Sequence, residues 1–79
     1  MKLYVLTCIT EDMDIVSQSI FTNSLDGETK LKDEYDAMLK TLQDEGNDIV
    51  EEFYDWDNAE IAYGGEPLVY KWCLREVEC

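Results

Sequence analysis

Leu31-Lys32-Asp33-Glu34-Tyr35-Asp36-Ala37-Met38-Leu39-Lys40-Thr41-Leu42 is the stretch that decides the fold. Its large apolar residues, Leu31, Tyr35, Met38, Leu39 and Leu42, recur at helical spacing and share one face. Lys32, Asp33, Asp36, Lys40 and Gln43 fall on the opposite face, where water solvates them. Glu28, Asp33, Glu34 and Asp36 load the first half with negative charge, which suits the positive end of a helix dipole. Asn23-Ser24-Leu25-Asp26-Gly27 reads as a loop that offers several caps, and Gly46 as the stop.

Outward from the helix, the period changes to two. Upstream, Lys2 to Thr10 is rich in β-branched and aromatic residues. Leu3, Val5, Thr7 and Ile9 share one side, and Tyr4, Leu6, Cys8 and Thr10 the other; both sides are largely apolar, as in a central strand. Glu11-Asp12-Met13-Asp14 is a turn, and Ile15 to Thr22 a hairpin partner whose Ser17, Gln18 and Ser19 place it near an edge. Downstream, Val50, Glu52, Tyr54 and Trp56 alternate with Ile49, Glu51, Phe53 and Asp55. Asp57-Asn58 is a turn signal, Ala59 to Tyr63 a short strand, and Gly64-Gly65-Glu66-Pro67 another turn. Leu68 to Glu78 is the longest strand candidate.

This order predicts a single two-layer α+β domain over residues 1–79. An antiparallel sheet of four or five strands, in the order ββαββ or ββαβββ, carries one helix on one face. Tyr4, Tyr54, Trp56, Tyr63, Tyr70 and Trp72 then either form a patch on the uncovered face or fill the small core; the pattern leaves both open. Cys8, Cys73 and Cys79 form no Cys-x-x-Cys pair, which suits a reducing cytoplasm with Cys8 and Cys73 as small buried hydrophobes. A disulfide through Cys79 is the alternative. The opening run has neither a long apolar region nor a small-residue cleavage site, so no secretory signal is expected.

Charge narrows the function. The 79 residues hold 19 acidic and 6 basic side chains and no histidine, a formal net charge of −13. A net basic face, which nucleic-acid binding and anionic membranes require, is missing. With 46% hydrophobic and 11% aromatic residues, disorder is also excluded. The lack of histidine removes Ser-His-Asp and Cys-His catalysis and histidine-ligated metals. Gly64-Gly65 is a bare turn rather than a phosphate loop. An EF-hand register started at Asp55 puts Glu60 where glycine is required, so the calcium-loop template fails and leaves Asp55, Asp57 and Glu60 only weak, adventitious divalent binding. No enzyme activity, cofactor or metal is expected.

The acids are unevenly placed. From Thr41 to Tyr70 there are nine (Asp44, Glu45, Asp48, Glu51, Glu52, Asp55, Asp57, Glu60 and Glu66) and no lysine or arginine. Leu3 to Thr29 adds Glu11, Asp12, Asp14, Asp26 and Glu28, again without a base. A globule of this length is about 30 Å across, while thirteen charges correspond to roughly 22 Å of duplex DNA. Two readings follow. The acids either serve solubility, which asks for a net charge of only about 2–8, or engage a basic surface as phosphate mimics.

A short acidic chain that opens Met1-Lys2-Leu3-Tyr4-Val5-Leu6 and closes Tyr70-Lys71-Trp72-Cys73-Leu74-Arg75-Glu76-Val77-Glu78 resembles the small proteins of phages and mobile elements. Anti-CRISPR and other anti-defence inhibitors, several of them DNA mimics, are among these. The resemblance implies an inhibitor that binds in the host cytoplasm and does no chemistry. Its expected target is the basic, nucleic-acid-binding surface of a host defence complex. Asp44, Asp48, Glu51, Glu52, Asp55, Asp57 and Glu60 are the expected phosphate mimics, with Tyr54 and Trp56 as aromatic anchors. A small domain that dimerises through its open sheet face or an edge strand is the other reading.

Overall fold

The computed structural model describes residues 2–64 and 68–78. Strands β1 (Lys2–Thr10) and β2 (Ile15–Phe21) are followed by helix α1 (Ser24–Asp44). Strands β3 (Ile49–Tyr54), β4 (Asn58–Tyr63) and β5 (Leu68–Glu78) complete the fold. The strands form one antiparallel sheet in the order β2-β1-β5-β4-β3, with α1 packed on one face, an α+β arrangement. Of the two orders expected, three strands follow the helix. The turn at residues 64–67 and Cys79 lie partly or wholly outside the described residues.

The helix begins earlier than its apolar stripe suggests. Asn23 caps it, its Oδ1 accepting from the Asp26 N–H at 2.9 Å, so Ser24 to Gly27 are helical rather than loop. Gly27 is helical because of packing. A Cβ there would meet Leu74 Cδ1 at 2.7 Å, so the missing side chain lets α1 approach β5. The C-terminus closes as a Schellman turn. Gly46, at φ 82°, donates to the Gln43 carbonyl and Asn47 to the Leu42 carbonyl, each at 3.0 Å.

Leu6, Cys8, Leu31, Tyr35, Leu42, Ala59, Ile61, Trp72 and Leu74 form the core between helix and sheet. Register explains the membership. Leu6 pairs with Leu74, Cys8 with Trp72, and Trp72 with Ala59, so these residues share the covered face. Tyr4, Tyr63 and Tyr70 pack against the same cluster, and Tyr54 stands 5.4 Å from Tyr35. Of the six aromatic residues weighed in the sequence, all but Trp56, which sits in the exposed β3–β4 turn, therefore lie on the covered side. Trp72 is the hinge of this packing, edge-on to Tyr35 at 5.8 Å and tilted against Tyr70.

Two sequence expectations are corrected. Cys73 is exposed, because it lies one residue out of phase with Trp72 and Leu74 and so faces away from the helix. A bulge between Ile49 and Glu51 pushes Val50 out of register. Ile49 thereby shares the covered side with Glu52 and Tyr54, not the side of Glu51 and Phe53.

Candidate functional site

The sheet has two ends, and the acids gather at both. At one end α1 finishes and β3 begins, next to the β1–β2 turn and the start of β5. Here two connections meet the same end of the sheet: the β1–β2 turn with Glu11, Asp12 and Asp14, and the end of α1 with its link to β3, which carries Asp44, Glu45 and Asp48. Glu11 is fixed in place: its Oε2 accepts from the Val69 N–H at 3.1 Å, and that bond holds its carboxyl below the usual range.

The neighbouring tyrosines register this charge. Tyr63 and Tyr70 stack at 5.8 Å and 7°. Burial first raises the Tyr63 phenol above its ordinary value. Tyr70 adds to the effect, and so do the carboxylates of Glu11 and Glu45, from separate loops. The helix itself contributes. Its last turn carries no basic residue, so Asp44 and Glu45 sit against the negative end of the dipole. A helix end normally avoids this arrangement; each such charge costs about 0.3–1 kcal/mol.

The sequence-predicted site divides among several places. Asp44 and Asp48 belong to this end. Asp55, Trp56 and Asp57 form the β3–β4 turn at the opposite end, where the Asp57 carbonyl accepts from the Leu74 N–H at 2.8 Å. Asp55 thus lies past the strand rather than on a face of it. Glu51 and Glu60 lie on the helix-free face, opposite Ala62 and Lys71. Glu52 and Tyr54 lie on the covered side. There Tyr54 touches Tyr35 and lies 5.3 Å from Lys32 Nζ, while the Tyr35 phenol is raised by burial first, then by Glu52 and Asp36. The structure adds Glu11, Asp12 and Asp14 to the end that holds Asp44, Glu45 and Asp48; sequence reasoning grouped the last three but did not join the β1–β2 acids to them. Separate acidic loops give no spacing signal; only the topology joins them.

Shape changes the charge scale. The extents are 44 × 22 × 16 Å, so the protein is longer than a 30 Å globule. Thirteen net charges over 44 Å give about 3.4 Å per charge, which matches one strand of DNA rather than the duplex.

Among the described residues, no three acidic or cysteine side chains come together as a metal-binding group, and no helix is long and apolar enough to cross a membrane. The Cys8 thiol, buried beside the core, is pushed up to about 11 by desolvation and then by Glu34. It is a poor nucleophile near neutral pH. Compared with protein-family models, curated proteins and solved structures, the chain gives no match.

Proposed function

We propose that this protein is a non-enzymatic binding protein whose acidic end occupies a basic, nucleic-acid-binding surface of another protein. Carboxylates stand there in place of phosphates. The supporting observation is that two connections, β1–β2 and α1–β3, place Glu11, Asp12, Asp14, Asp44, Glu45 and Asp48 at the end of the sheet where the negative end of α1 lies. This crowding opposes folding through self-repulsion, and an arginine- or lysine-rich partner would offset it with charge-assisted hydrogen bonds. The stacked Tyr63–Tyr70 pair, half-buried beside these acids, supplies an aromatic anchor. The resemblance to small phage inhibitors makes a host defence complex the kind of target to look for.

The test is capture of partners from bacterial lysate by the tagged chain, with duplex DNA added as competitor. Capture should be lost in the D44K/E45K/D48K variant, and DNA should elute the captured protein. Capture indifferent both to the reversal and to DNA would refute the reading.

A further inference from the structure

The helix-free face of the sheet has a charge pattern of its own. Following the register across the strands, one row reads Ile9, Lys71, Glu60, Phe53 from β1 to β3. All four lie on the side away from α1. Lys71 is exposed and Phe53 is 49% exposed. Lys71 and Glu60 are direct cross-strand neighbours, yet among the described residues neither forms an ion pair. Around them Val5, Cys73, Arg75 and Val77 line a groove of about 560 Å³.

We propose that this face binds a second copy of the same chain, in a two-fold dimer whose axis runs parallel to the strands between β5 and β4. The row Ile9-Lys71-Glu60-Phe53 is complementary to its own reverse. Turned about that axis, Ile9 of one copy meets Phe53 of the other, and Lys71 meets Glu60. An isologous interface demands this self-complementarity. Two residues along the same strands, Val69 meets Ala62.

The dimensions fit as well. Aligned sheets pack about 10 Å apart with strands about 30° off parallel. Four overlapping strands spaced by about 4.8 Å, over the roughly 20 Å that the six-residue β3 and β4 span, give a flat footprint of about 400 Å² per copy. The corrugated side-chain surface is larger and comes near the lower edge, about 600 Å² per partner, of stable complexes. The axis brings the acidic ends of both copies to the same end of the dimer, at the rim of this face; variants of Lys71 and Glu60 leave those acids in place, so the dimer is tested independently of the function proposed above.

Sedimentation of the full chain across a concentration series tests the proposal, with circular dichroism confirming that each variant is folded. The wild-type chain should dimerise. K71E alone and E60K alone each place like charges opposite one another twice, and should weaken dimerisation at least about tenfold. An equimolar mixture of K71E and E60K should restore dimers, because every pairing in the mixed species joins opposite charges, although both chains are net acidic. Phe53→Ala should also weaken the dimer. A wild-type chain that stays monomeric at all concentrations overturns the proposal. So does a dimer unaffected by either charge variant, or a mixture that fails to recover.

Discussion

The two faces of the sheet are built from the same strands and differ by one residue of phase. On β5, Tyr70, Trp72 and Leu74 point toward α1, and Lys71, Cys73 and Arg75 point away. The covered face is aromatic and dry, and holds no buried charged side chain among the described residues. The bare face keeps cations, the carboxylates of Glu51 and Glu60 and aliphatic residues side by side. The covered face therefore carries the folding free energy, and the bare face tolerates charge that only a partner would neutralise.

The largest break in that comparison comes from truncation on each side. Trp72→Ala should cost about 3–5 kcal/mol, since it empties the centre of the core. Cys73→Ala, the next residue but on the bare face, should change monomer stability by no more than about 0.5 kcal/mol. Urea titration of both variants decides it; equal losses would mean that the bare face is also load-carrying core.

The cysteines sharpen the same contrast chemically. Cys8 has its thiol held up at about 11 against an ordinary 9.0. The folded state thus keeps a proton that the unfolded state releases first. Its stabilising effect is complete below pH 9 and is lost as pH rises toward 11, by on the order of 2 kcal/mol. Thermal melts over that range should fall, and Tyr35 and Tyr63, raised in the same direction, reinforce the fall at its upper end. In the folded protein, alkylation at pH 8 should modify Cys73 and spare Cys8. Equal labelling would contradict the assigned phase.

A smaller effect tests the fit of helix to sheet. Gly27→Ala should destabilise by about 1–2 kcal/mol, because the new methyl meets Leu74 Cδ1. In a Leu74→Ala background the same change should stabilise by up to about 1 kcal/mol, the ordinary helix preference for alanine. A Gly27 effect independent of residue 74 would remove the close approach as the reason for glycine.

The smallest effect lies off both faces. Glu45→Lys at the negative end of α1 should raise stability by about 0.3–1 kcal/mol in low salt, measured by thermal melting. A variant that is more stable but loses partner capture would separate binding from folding at that end. A destabilised one would mean that the acids already have structural partners.

Much of the fold was legible in the sequence because periodicity reports which face a side chain occupies. Leu31, Tyr35, Met38, Leu39 and Leu42 gave the helix, and the alternation of Leu68 to Glu78 gave β5. What escaped was set by contacts between elements. Gly27 looked like a loop residue until Leu74 stood beneath it. Val50 looked like one more alternating residue until the bulge took it out of step. Cys73 was read as buried because cysteine usually is; the phase set by its neighbours Trp72 and Leu74 decides otherwise. The candidate site was legible as acidic stretches, but not as a place. Glu11 and Glu45 are far apart in the chain and both act on Tyr63 only because β1 and α1 finish at the same end of the sheet.

The central claim, an acidic end that takes the place of phosphates, is tested most directly by the salt dependence of binding to a captured basic partner. With about six carboxylate contacts, affinity for the wild-type chain should fall on the order of a thousandfold between about 50 and 200 mM salt. The D44K/E45K/D48K variant should bind far more weakly and with a shallower slope. Affinity that holds constant across that range, or a slope unchanged by the reversal, would contradict the account.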